Sequence, residues 1–189
     1  MKMLTVLLSV VIFITASSCL HAGEVILYGG LQKPGQIEYP SEADIPEDLL
    51  EGQYGSNYGI RFSGARKVSF EENISYSPHF AKRGVKAFQM DTNLVVQARA
   101  RVAPYLTAGI GFIRAWGQPS PASSDPIKTA TNAFSFGKKF TVNYGAGIKA
   151  RQVAGALGFN IDIRRYTVRG VHEGSLSFWQ TSLGLMFTW

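Results

Sequence analysis

Histidine and cysteine are the side chains most often used for metal binding and nucleophilic catalysis, and this sequence holds three histidines and one cysteine. His21, His79 and His172 lie too far apart in the chain to have the spacing of metal ligands. Ser175 follows His172 by an odd number of positions, which would place the two side chains on opposite faces of a strand. The sequence therefore predicts neither a metal ion nor a cofactor, and no catalytic site.

The charged residues give a different signal. The formal net charge is +6, without a dense Lys/Arg tract of the kind that binds nucleic acid. Residues of both signs fall on the polar face of alternating segments: Arg61, Glu71, Asp91, Arg99, Lys149, Arg151, Asp162 and Arg164. Opposite charges in near balance on one glycine-rich face predict ion pairs inside a narrow space.

Apolar residues at every second position predict the strands that position these charges. Leu106, Ala108 and Ile110 share one face, for example, with Thr107 and Gly109 on the other. The segments that follow this pattern are approximately residues 24–32, 54–63, 68–77, 88–99, 106–112, 141–151, 157–164 and 179–189. About eight antiparallel strands are expected.

One carboxylate does not fit the alternation. Glu72 falls among apolar residues on the outer face of the third segment. Because a charge costs less near the boundary of a membrane, we expect Glu72 to lie there.

The connections between the segments are alternately long and short. The long ones are expected at 33–53, 78–85, 116–139 and 168–175, and the short ones at 64–67, 100–104 and 152–155. Tight turns at one end and longer loops at the other are typical of outer-membrane barrels, in which the turns are periplasmic. With an even number of strands, both termini are expected on the periplasmic side.

An amphipathic barrel is either a soluble barrel with an apolar interior or a membrane barrel with an apolar exterior. The balanced charges and many glycines of the polar face favour a lumen. The predicted fold is therefore all-β, a closed antiparallel up-and-down transmembrane β-barrel. Aromatic residues near strand ends are then expected to form interfacial girdles: Tyr28, Tyr58, Tyr76, Tyr105, Trp116, Tyr144, Tyr166, Trp179 and Trp189. A soluble periplasmic lipid-binding barrel is the alternative.

The N-terminal residues resemble a secretory signal. Lys2 precedes an apolar run from Leu4 to Ala16, and small residues follow as far as Ala22. We expect cleavage after Ala22, so that residues 1–22 are the signal peptide and residues 23–189 form one barrel domain in the cell outer membrane. In the alternative reading, Ala16 to Cys19 act as a lipobox and Cys19 is lipidated.

Three stretches carry a family resemblance: Pro104–Gly111, Asn143–Gly147 and the terminal Gly184–Trp189. With the signal peptide, they resemble the small outer-membrane β-barrels of the OmpA-membrane-domain or OmpX kind. The resemblance implies that Trp189 occupies the place of the terminal aromatic residue read by the barrel-assembly machinery, where Phe is usual.

The resemblance also sets the functional expectations. A monomeric barrel with a structural or surface-interaction role in the envelope is expected, and a narrow channel or porin is the alternative. Basic residues near the outer rim could contact lipopolysaccharide phosphates, in particular Lys86, Lys138, Lys139 and Arg169. Lipid A deacylases among the small barrels resemble one another in a closely spaced His and Ser on one strand, which His172 and Ser175 do not match. No enzymatic activity is expected.

Overall fold

The computed structural model describes residues 23–35, 51–117, 134–171 and 174–189. These residues form eight strands: β1 (Glu24–Pro34), β2 (Gly55–Ser63), β3 (Val68–Ser77), β4 (Lys86–Gln97), β5 (Val102–Trp116), β6 (Phe136–Ala154), β7 (Leu157–Val171) and β8 (Gly174–Thr188). Each strand pairs antiparallel with the next, and β8 pairs with β1 to close the sheet. The predicted closed up-and-down β-barrel is confirmed. The predicted signal peptide, residues 1–22, lies outside the described residues.

The alternation of the sequence becomes the two faces of the wall. On β8, Leu183 is 61% exposed on the outside, whereas its neighbour Ser182 is buried inside. The same arrangement recurs around the barrel, and every strand contributes exposed apolar side chains, among them Leu31, Tyr58, Phe70, Leu94, Leu106, Phe140, Ile161 and Leu183. A continuous apolar exterior of this kind is the surface that lipid covers in a membrane barrel.

Among the described residues, no helix has the length and apolarity needed to cross a membrane.

The two ends of the barrel differ. The β2–β3, β4–β5 and β6–β7 connections are short and lie at one end, here called the turn end. The other four connections lie at the opposite end, here called the loop end. In the β6–β7 turn, Gly155 has a φ of +63°, a conformation that glycine adopts without strain.

The long connection predicted over residues 168–175 is wrong. Strand β7 continues to Val171 and β8 begins at Gly174, with the pair Val168 and Leu176 in register. The charged pair Arg164–Arg165 interrupts the apolar pattern, but the hydrogen-bonded ladder continues past it. It can do so because the inside of the barrel is apolar at that level, where Val168 and Leu176 are both fully buried.

Glu72 lies on the outward-facing row of β3, between Phe70 and Ile74. Its side chain is nevertheless almost fully buried, and its Oε2 accepts a hydrogen bond of 2.9 Å from the hydroxyl of Thr92 on β4. Its other carboxylate oxygen has no partner among the described residues. Glu72 is in register with Phe62, one residue from the end of β2, and its expected position near the membrane boundary stays a prediction.

Candidate functional site: the closed lumen and the loop-end rim

The centre of the lumen is built around Asp162 on β7. Its carboxylate accepts hydrogen bonds from Arg61 at 3.1 Å, from Arg164 at 2.9 Å and from the hydroxyl of Tyr105 at 2.5 Å. Arg164 also pairs with Glu71 on β3 at 2.8 Å. These side chains come from four strands, β2, β3, β5 and β7, and their charged groups are fully buried. The ion pairs therefore tie opposite walls of the barrel together and fill its middle.

A second group of charges closes the turn end. Glu24, the first residue of β1, accepts a hydrogen bond of 2.6 Å from Lys149 and another from Arg151. Arg151 in turn donates to the side-chain oxygen of Gln97 at 2.7 Å. Sequence reasoning missed Glu24, although it lies an even number of positions from the inward residues Tyr28 and Gln32 and so shares their face.

Asp91 is surrounded differently from Asp162. Its Oδ2 accepts hydrogen bonds from the side-chain amides of Asn73 at 2.7 Å and Gln89 at 2.9 Å, and from the hydroxyl of Tyr166 at 3.4 Å. No cation of the described chain lies within ion-pair distance of it. This carboxylate is thus held by neutral donors.

The structure places seven of the eight sequence-predicted lumen charges on the inner face, and Arg99 is the exception. Strand β4 ends at Gln97, whose side-chain amide donates to the carbonyl oxygens of Gly64 and Arg66. Arg99 follows in the exposed β4–β5 turn. The prediction that Arg99 lies in the lumen is wrong, because side chains alternate between the two faces only as long as the chain belongs to a strand, and β4 has ended at Gln97.

Three of the nine predicted girdle aromatics lie inside the barrel. Tyr28, Tyr105 and Tyr166 are buried, and their hydroxyls donate hydrogen bonds to Asn73, Asp162 and Asp91 respectively. The other six are exposed on the outer side or, for Trp189, beyond the end of β8: Tyr58, Tyr76, Trp116, Tyr144, Trp179 and Trp189. The inward tyrosines are part of the polar network, since a buried phenol needs a partner for its hydroxyl.

An apolar cap fills the lumen at the loop end, which the sequence pattern did not predict. Phe80, Ala81 and Val85 come from the β3–β4 connection and Phe134 from the β5–β6 connection. They pack on inward residues of the strands: Ala87, Ile113, Ala115, Phe136, Tyr166, Val168, Val171, Leu176 and Phe178. The Phe80 ring contacts that of Phe178 edge-on, with centroids 5.4 Å apart, and Phe178 stacks on Tyr166 at 4.9 Å.

Polar side chains lie beneath this cap. Asn57, Asn143 and Gln180 are buried, and none of their amide atoms has a hydrogen-bond partner among the described residues. Gln180 is two positions from the cap residue Phe178 on the same inward row of β8. From the loop end to the turn end, the lumen is therefore apolar, then polar without ion pairs, then crossed by ion pairs.

The predicted rim cations lie at the loop end but do not share one face. Lys86, Lys138 and Arg169 are exposed on the outer side. Lys139 is opposite the buried cap residue Ile113, so it points inward, and its Nζ lies 3.9 Å from the position that a Cβ would take on Gly170. Lys139 is therefore on the wrong face to contact lipid outside the barrel.

No known family profile matches the sequence, and no curated protein matches it. Solved structures do match. Neisserial surface protein A superposes with a TM-score of 0.64 at 12% identity, covering 89% of this chain and 98% of that one. OprG of Pseudomonas aeruginosa gives a TM-score of 0.53 at 15% identity, covering 89% and 97%. The chain has the fold of the small outer-membrane β-barrels.

The outer membrane enzyme PagL is also similar to this barrel. Its TM-score is 0.51 at 16% identity, covering 88% of this chain and 99% of that one. At such identities the similarity concerns the fold, and one fold carries many functions. His172 and Glu173 lie outside the described residues, and Ser175 belongs to β8 and not to a loop.

Proposed function

We propose that this protein is a closed, membrane-embedded barrel of the bacterial outer membrane with a structural or surface-interaction role. One observation carries the proposal: the wall is apolar outside, while its interior is filled by buried ion pairs and an apolar cap. The apolar exterior suits a bilayer, and the filled interior leaves the outer wall and the loop end as the surfaces available for interaction.

A narrow channel is the second candidate, and the unpaired amides of Asn57, Asn143 and Gln180 favour it, because such groups suit a hydrated chamber. Three barriers along the lumen argue against a channel. A solute would have to displace the apolar cap, then the Arg61–Asp162 pair, and then the Glu24–Lys149 pair. Breaking a buried ion pair without replacing its partner costs about 3–5 kcal/mol. We therefore favour a sealed barrel.

The proposal treats the barrel as non-enzymatic. The only histidine within the described residues, His79, is exposed in the β3–β4 connection. No group of three or more metal-ligating side chains occurs in the described part of the chain. The similarity to PagL is a similarity of fold.

The proposed partners follow from the same surfaces. The apolar wall contacts membrane lipid, and the outward cations of the loop-end rim face lipopolysaccharide. Trp189, which is 71% exposed beyond the end of β8, is available to the barrel-assembly machinery during biogenesis. The protein is proposed to act as a monomer, since each strand edge is already paired within the chain.

Gel mobility and conductance test the proposal together. Protein from an outer-membrane fraction is run in SDS with and without boiling, and a closed barrel migrates as a compact band that shifts after boiling. The same protein is reconstituted in planar bilayers, where we expect no steady conductance. Recovery from the soluble periplasm without a band shift would overturn the membrane assignment. Steady conductance would replace the sealed barrel with the channel.

A further inference from the structure

Arg114 on β5 and Lys138 on β6 are register partners at the loop end of the outer face. Both are exposed, and Arg114 is two residues from the end of β5 while Lys138 is two residues after the start of β6. Like charges placed directly opposite each other on one face of an antiparallel pair destabilise the sheet. Neither cation has a carboxylate within ion-pair distance in the described part of the chain.

Aromatic rings hold the two cations over the apolar wall. The Nζ of Lys138 lies 4.1 Å from the centroid of the Phe112 ring, and the guanidinium of Arg114 lies 6.0 Å from that of Trp116. Such contacts orient a cation without neutralising its charge. The pair therefore presents a concentrated positive charge directly above lipid-facing rings.

A third cation extends this cluster. Lys86, the first residue of β4, is exposed and pairs in register with Trp116. The resulting rim clamp comprises Lys86, Arg114 and Lys138 on three adjacent strands. Lys33, elsewhere on the same rim, differs because it forms an ion pair of 3.0 Å with Glu51. The charge of Lys33 is compensated by Glu51, whereas no carboxylate of the described residues compensates the charge of the clamp.

We propose that the rim clamp binds the phosphate of a lipid headgroup in the outer leaflet. This inference rests on the proposed membrane function and identifies the lipid chemistry of that rim. An Arg guanidinium and a Lys ammonium donate charge-assisted hydrogen bonds to phosphate oxygens. The ring of Phe112, two residues from Arg114 toward the middle of the barrel, then adjoins the start of the lipid's acyl chains, while Trp116 lies level with Lys86 at the end of β5. A headgroup phosphate bound by Arg114 and Lys138 would also reduce the electrostatic repulsion between these two cations.

The inference is tested with purified barrel in a zwitterionic detergent, titrated with lipid A that carries its phosphates. Binding is followed by native mass spectrometry and by the midpoint of thermal unfolding. Arg114→Gln and Lys138→Gln are each expected to weaken lipid A binding by about tenfold. The matched control is Arg165→Gln, since Arg165 lies over Trp179 at 5.7 Å but has no cation opposite it in register.

The thermal midpoint provides a second readout. Without lipid A, Arg114→Gln should melt at or above the wild-type temperature because a like-charge repulsion is removed. With lipid A, the wild type should gain thermal stability and the variant should not. Equal lipid A binding by wild type and both clamp variants would overturn the inference. So would equally tight binding of inorganic phosphate alone, which would indicate a site for free anions.

Failure of the clamp remains distinguishable from failure of the proposed function. The heat-induced band shift of each variant reports a closed membrane barrel independently of lipid A. Variants that keep the shift and lose lipid A binding support the clamp. Variants that keep both would leave the membrane barrel in place and exclude the clamp.

Discussion

Tyr105 and Gly147 face each other in register on β5 and β6, and the tyrosine ring lies over the glycine. A Cβ added to Gly147 would lie 2.5 Å from Cζ of that ring. Tyr28 covers Gly59 on the neighbouring strand in a similar way, with its Cζ 2.6 Å and its hydroxyl oxygen 2.5 Å from an added Cβ. The inward glycines of this barrel therefore make room for the large side chains whose hydroxyls complete the polar network.

Gly147→Ala should lower the free energy of unfolding by about 1–3 kcal/mol, because overpacking would displace Tyr105 from Asp162. Unfolding by urea in lipid vesicles measures the change. Gly137→Ala is the matched control on the same strand, since nothing lies within 4 Å of its added Cβ. That variant should equal or exceed the wild type in stability. Equal losses in the two variants would contradict the packing argument.

Replacing the carboxylate by an amide should change the stability of the barrel in opposite directions at Glu71 and Glu72, two consecutive residues of β3. Glu71 points inward and pairs with Arg164 at 2.8 Å, whereas Glu72 points outward beside Thr92 and has no cation within ion-pair distance among the described residues. Glu71→Gln should cost about 3–5 kcal/mol, because it leaves a buried guanidinium with one counter-charge fewer. Glu72→Gln should raise the free energy of unfolding by about 1 kcal/mol at neutral pH, because it removes a charge from apolar surroundings.

The same vesicle assay compares the two glutamine variants side by side. Each substitution removes one charge and keeps the size of the side chain, so a general effect of net charge would move both in the same direction. A loss of stability in Glu72→Gln similar to that in Glu71→Gln would show that the outward carboxylate has a structural partner.

Most of the barrel could be predicted from the sequence because the two faces of each strand meet different solvents. Leu106, Ala108 and Ile110 alternate with small and polar residues on a wall that contacts lipid outside and charges inside, so the period of two is retained. The same alternation between the two faces correctly predicts that Arg61, Asp162 and Arg164 point into the lumen. The same alternation indicates an inward position for Tyr166, which lies two residues from Arg164. A place in the aromatic girdle, expected for an aromatic residue near a strand end, contradicts that indication and is wrong.

The apolar cap could not be predicted from the alternation of polar and apolar residues. Phe80 and Phe134 come from connections far apart in the chain, where no period relates one side chain to the next. Their inward partners, Val168, Leu176 and Phe178, make the inner face apolar at the loop end, so the contrast between the faces disappears there. The alternation therefore predicts β7 and β8 shorter than they are and places the end of the lumen in a loop.

Asp162 should be the least replaceable carboxylate of the lumen. Asp162→Ala leaves Arg61, Arg164 and the Tyr105 hydroxyl without their common acceptor, and we expect a loss of about 3–5 kcal/mol. Glu51→Ala is the control, since it breaks only the exposed pair with Lys33 and should change the free energy of unfolding little. If the two losses measured by urea unfolding were similar, the buried network would not be a main source of stability.

Phe80 tests whether the apolar cap seals the loop end. The structure places it at 0% exposure between Phe136 and Phe178, so Phe80→Ala should cost about 3–5 kcal/mol if the site does not collapse. Tyr54→Ala, at an exposed ring near the same end, should change stability little.

The cap also predicts which reagents enter the lumen. Asn57→Cys places a thiol beneath the cap, and a water-soluble thiol reagent added at the loop end should modify it slowly. Adding Phe80→Ala should accelerate this reaction, while planar bilayers should still show no conductance because the Arg61–Asp162 and Glu24–Lys149 pairs still cross the lumen. Rapid labelling that does not depend on Phe80 would mean that the cap does not seal the barrel. Conductance after the single change at Phe80 would instead mean that the cap is the only barrier and that the ion pairs part readily.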